Sequence, residues 1–111
     1  MELNDYIDVE GALKRVGGNM GLYKKLLGRY VDGKTFDLLN DAIQGGNMEE
    51  ASHLAHTLKG VCSNLSLNKI AALAADIEQI IKAGSDYNDC LGQLKDACDV
   101  TEVKIAELLA G

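Results

Sequence analysis

Two histidines stand three residues apart in Ser52-His53-Leu54-Ala55-His56-Thr57-Leu58-Lys59-Gly60, a stretch with helical apolar spacing. An imidazole has an unperturbed pKa of about 6.5, so at neutral pH one ring nitrogen mostly offers a free lone pair. That makes it a nucleophile, a proton carrier or a metal ligand. At about 100° per residue, Leu54, Leu58, Val61 and Leu65 share one stripe, widened by Ala51, Ala55 and Cys62. His56 falls about 160° from the centre of that stripe and is expected to face solvent. Lys59, three residues on, would place an ammonium beside whatever His56 carries. Gly60, one turn beyond His56, leaves bare backbone next to the ring, at a cost of roughly 1 kcal/mol relative to alanine. Because the apolar spacing continues past it, Gly60 is read as clearing a partner's approach and not as ending the helix. Ser52 and Ser63 lie on the same face at one and two turns from His56. They are candidate docking residues, with solvated surface as the alternative for each.

The rival chemistries are thinner. A His53-x-x-His56 pair could take a metal, but only Glu49 lies near enough in sequence to join it. His53 is therefore read as surface, and no metal site is assigned. Glu49, Glu50, Asp76 and Glu78 read as caps and solvated faces. The chain has no glycine-rich phosphate loop, nucleophile elbow or nucleotide motif, so no use of ATP and no cofactor of its own is expected.

The elements that must hold these residues are helical. With 111 residues, no proline and a quarter of the chain charged, one all-α domain over residues 1–111 is expected. The net charge of −6 argues against nucleic-acid binding, which calls for a basic stripe. No apolar run reaches the length of a membrane span, and the polar start is not a signal peptide. Cys62, Cys90 and Cys98 are odd in number and lack close pairing. They read as reduced thiols of a cytoplasmic protein, with Cys62 and Cys98 in the core.

In chain order, residues 1–7 form a lead-in, with Tyr6 and Ile7 packing on the bundle's edge. Asp8 caps a helix reaching about Val16, and Gly17-Gly18 stops it. Asn19 caps a helix over 20–32 with Leu22, Leu26, Leu27 and Tyr30 inward. Its basic side, Lys24, Lys25 and Arg29, is read as solvated, with help to an acidic partner as the alternative. Gly33 supplies a break, and a helix over 35–44 ends at Gly45-Gly46. Asn47, with Glu50 three residues later, starts the helix that carries His56 and reaches about Asn64. Ser66 is expected to cap a helix over 67–83, closed by Gly84. Ser85 or Asp86 opens the last one, over 86–109. Short loops imply antiparallel neighbours, hence an up-and-down four-helix bundle with additional short N-terminal helices.

On these residues the chain resembles the histidine-containing phosphotransfer (HPt) domain family. Leu54-Ala55-His56-Thr57-Leu58-Lys59-Gly60 is similar to that family's core motif. Leu13-Lys14-Arg15-Val16-Gly17-Gly18-Asn19-Met20-Gly21-Leu22-Tyr23 is similar to its N-terminal segment. Val61-Cys62-Ser63-Asn64-Leu65, and Leu73, Ala74 and Glu78, continue the likeness, while Ser66 departs from it where the family often has glycine, and Ser63 where it frequently has glycine or alanine. The resemblance implies a helical bundle whose His56 carries a phosphoryl group between aspartates of receiver domains, in response regulators and hybrid sensor kinases. It implies Lys59 as the stabilising charge, Mg²⁺ on the receiver partner, and the distal ring nitrogen as acceptor. The residues alone leave the choice of nitrogen open. A monomer is expected. The alternative is a phosphorylation-independent helical adaptor that binds a receiver or kinase domain without chemistry.

Overall fold

The structure, a computed structural model, describes residues 6–111; of the expected lead-in, residues 1–5 lie outside that range. The named helices are α1 Val9–Arg15, α2 Met20–Gly33, α3 Thr35–Gln44, α4 Met48–Asn64, α5 Asn68–Ala83 and α6 Asn88–Ala110. The fold is all-α, with no strand among the described residues. Short turns reverse the chain between α3, α4, α5 and α6, giving an antiparallel bundle in which α5 packs between α4 and α6. On the other side α3 packs on α4, and α2 on α6.

Local chemistry sets most boundaries. The side chains of Asp8, Asn19 and Asn47 accept from the backbone N–H groups of Gly11, Leu22 and Glu50, at 3.0, 3.0 and 3.2 Å. Each satisfies a donor that the first helical turn leaves open. At the other ends, Gly46 and Gly84 take φ of 76° and 68°, the left-handed turn in which glycine carries no steric cost.

Four expectations are corrected. α2 runs through Gly33, and the left-handed residue that breaks it is Lys34, at φ 50°. Ser66 does not cap α5: it sits at φ 56°, 2 % exposed, and Leu67 takes the cap position without a side-chain bond. Val61 and Leu22, placed on inward stripes, are 38 % and 41 % exposed. Ile7 is fully buried in the core and not on its edge.

The core runs the length of the bundle. Leu58 of α4, Ile70 and Ile77 of α5, and Leu94 and Ile105 of α6 are buried, with Tyr23 and Leu27 of α2 and Leu39 of α3 closing around them. Cys62 and Cys98 are buried free thiols, and burial is the main cause pushing both up to about 12. Such thiols are packing groups and poor nucleophiles. Among the described residues, no helix is long and apolar enough to cross a membrane.

Candidate functional site

Where α4 meets α5, the surface carries one cluster of opposite charges. His56 occupies the middle of α4, between Ala55 and Leu58, which are both buried. Its own side chain is 63 % exposed, so the stripe that seats α4 in the core is also what turns the imidazole outward. A residue at mid-helix has its backbone fixed in both directions, which limits the ring to few orientations.

The partner of that ring comes from α5. Glu78 is 4 % exposed, and its two carboxylate oxygens lie 3.3 and 3.4 Å from His56 Nδ1. Lys82, one turn further along α5, donates to Glu78 Oε2 at 2.9 Å. Lys59 of α4 brings a second ammonium to 3.7 Å from Oε1. The Lys82 hydrogen bond is the largest influence on the Glu78 carboxyl. Burial opposes it, His56 reinforces it, and the net effect holds the group below the usual carboxylate range. Glu78 is thus ionised at neutral pH and can only accept. A neutral His56 facing it donates through Nδ1–H, which leaves the lone pair on Nε2.

Glu78 is the residue that sequence reasoning misplaced, as a cap or solvated face. One signal for it was available: it directly follows Ile77, which is buried, and so stands at the edge of the α5 stripe, where a neighbouring helix can cover it.

The other predicted residues divide. Lys59 joins the cluster. A Cβ built on Gly60 meets nothing within 4 Å among the described residues, so their packing does not require glycine there. Ser52 is half-buried and Ser63 exposed, and neither side chain enters the His56–Glu78 network. His53 is exposed, and its carbonyl accepts from Thr57 Oγ1 at 3.1 Å.

Beyond Gly60, the C-terminal end of α4 borders an open groove of about 510 Å³, lined by Val16, Leu26, Tyr30, Val61 and Leu65 with Arg15 and Arg29 beside them. This explains the exposure of Val61. The same end of α4 is pinned from the N-terminal helices. Arg15 Nη1 donates to the carbonyls of Ser63 and Asn64 at 2.8 and 3.3 Å and to Ser66 Oγ at 2.6 Å. Tyr23 Oη donates to the Leu65 carbonyl at 2.8 Å, and the Asp8 N–H to that of Ser66 at 2.9 Å. A guanidinium on the last carbonyls of a helix satisfies open acceptors and complements the helix dipole.

An exposed imidazole on a helical bundle, backed by a carboxylate and flanked by a lysine, is an arrangement suited to carrying a group. The family comparison agrees: the Hpt domain model matches residues 33–106. The chain therefore belongs to the Hpt domain family, whose members perform histidine phosphotransfer in phosphorelays and interact with receiver domains. No curated protein and no solved structure matches the chain significantly.

Proposed function

We propose that this protein relays a phosphoryl group between receiver-domain aspartates in a multistep two-component phosphorelay, with His56 as the covalent carrier. The observation that carries the reading is the seating of His56 Nδ1 against the Glu78 carboxylate, at 3.3 and 3.4 Å, on a side chain that is 63 % exposed. The Nε2 lone pair attacks phosphorus of the receiver's aspartyl phosphate. The P–O bond to the aspartate breaks, and its electron pair stays with the regenerated carboxylate. The imidazole becomes a phosphoimidazolium that retains Nδ1–H, and Glu78 stabilises the positive charge that develops on the ring. Running the step backward delivers the group to a second receiver.

Phosphoryl transfer depends chiefly on positioning and charge stabilisation. This chain supplies a nucleophile in a fixed direction and, in Lys59, a cation within reach of the phosphoryl oxygens. The receiver brings its acidic pocket and Mg²⁺; this chain uses neither a cofactor nor ATP. Gly60 admits the partner's loops, and Ser52, Ser63 and the Val61–Leu26 groove extend the docking face. Arg15 and Arg29 give that groove a positive border on a chain of net charge −6. The protein acts as a cytoplasmic monomer in which α1 and α2 hold the end of the helix that carries His56.

The test is incubation with a receiver phosphorylated on its aspartate. Acid-labile label should move to this chain and be lost in His56→Gln. Binding of the receiver with no uptake of label would instead make the protein an adaptor.

A further inference from the structure

Glu78 has more cations around it than one carboxylate needs, and its two lysines are unequal. Lys82 lies four residues after Glu78 on the same helix, the more favourable order for such a pair, and contacts Oε2 at 2.9 Å. Lys59 reaches across from α4, stops at 3.7 Å from Oε1 and leaves 38 % of its side chain exposed. It is also three residues from His56, on the neighbouring face of α4. A carboxylate this well covered needs a compensating charge at all times, since an unpaired buried charge is costly. If Lys59 were its only cation, the ammonium would be committed to Glu78 and withheld from the phosphoryl group.

Building on the carrier role proposed for His56, we infer that Lys82 is a positioning residue whose hold on Glu78 frees Lys59 to move onto the phosphoryl oxygens. A phosphoryl group on Nε2 brings concentrated negative charge and several strong acceptors. Lys59 exchanges a loose contact for a charge-assisted one, while Glu78 stays neutralised by Lys82 and keeps the Nδ1–H bond. The exchange moves one ammonium and makes or breaks no covalent bond.

The test uses phosphoramidate, which loads the imidazole without a receiver. Nε2 attacks phosphorus, the P–N bond breaks, and the nitrogen leaves as ammonia. The Lys59 ammonium is followed by ¹⁵N NMR before and after loading. Transfer from a phosphorylated receiver is measured in wild type, Lys82→Met, Lys59→Met, the double variant and Lys82→Arg. On loading, the Lys59 signal should shift in wild type and much less in Lys82→Met. Transfer should slow roughly three- to tenfold in Lys82→Met with receiver affinity unchanged, about tenfold in Lys59→Met, and no further in the double variant. Lys82→Arg should restore the rate.

A wild-type rate in Lys82→Met, losses that multiply in the double variant, or a Lys59 signal indifferent to loading would each overturn the inference. Loading by phosphoramidate without uptake from any receiver would defeat the relay and leave the Lys59 signal to judge the ion-pair exchange. Failure of His56 to load at all would defeat both.

Discussion

The guanidinium of Arg15 reaches Ser66 Oγ at 2.6 Å and the Ser63 carbonyl at 2.8 Å, joining the end of α1 to the turn after α4. This contact holds a residue that is otherwise out of place, because Ser66 adopts φ 56°. A left-handed conformation costs a non-glycine residue about 1 kcal/mol or more. Ser66→Ala keeps that cost and loses the Arg15 bond, so it should destabilise by about 1.5–3 kcal/mol. Ser66→Gly removes the backbone cost along with the bond and should stay within about 1 kcal/mol of wild type. Urea unfolding at constant m-value reads both, and equal losses would show that backbone conformation is not what the serine is working against.

Glu78 predicts a specific acid limb. Its folded-state pKa lies below the ordinary value, mainly through Lys82 and then His56. A carboxyl depressed by folding contributes stability above its unfolded pKa of about 4.3, and loses it as pH falls through the folded value. Wild type should therefore lose more stability than Glu78→Gln between pH 6 and pH 3. At pH 7 the glutamine variant should be less stable by only about 1–2 kcal/mol, because its cationic partners are partly solvated. Its phosphotransfer should drop by at least about tenfold, since a neutral amide stabilises the phosphoimidazolium less well. Parallel stability curves for the two proteins would contradict this account of the carboxylate.

Gly60 can be set against a glycine of the same kind. A Cβ built on Gly60 or on Gly92 meets nothing within 4 Å, and both lie inside helices. Alanine at either position should stabilise the fold by up to about 1 kcal/mol. Phenylalanine should separate them: at Gly60 it should weaken receiver binding about tenfold or more with helix content kept, and at Gly92 leave binding unchanged. Isothermal titration with a receiver domain measures this. Unaltered affinity in Gly60→Phe would remove the open-approach role.

Thr101 is fully buried in α6, and its Oγ1 has no hydrogen-bond partner among the described residues. A buried polar atom left unpaired is destabilising, whereas an apolar group of the same shape is not. Thr101→Val should raise stability by about 1 kcal/mol without altering transfer. A loss of stability on thermal unfolding would mean that the hydroxyl is satisfied in solution.

Much of this protein was legible in the chain because the relevant signals are local. Asp8, Asn19 and Asn47 cap by bonding three residues ahead, and Gly46 and Gly84 supply turns that need no distant partner, so helix ends fell within a residue or two of expectation. The outward direction of His56 follows from the angle between it and the leucines of its own helix. Periodicity gives each side chain a direction about its own axis, but not what another helix lays over it. For that reason Val61 came out lining a groove, Ile7 fully enclosed, and Ser66 tied to Arg15, 51 positions away in the chain. The burial of Glu78 and its contact with Nδ1 of His56 required two helices to be placed side by side. Sequence pointed to the residue proposed to carry the group; the packing of α4 on α5 is what supports Nε2 as its proposed acceptor atom, because a carboxylate and an imidazole 22 positions apart meet only once the chain has folded.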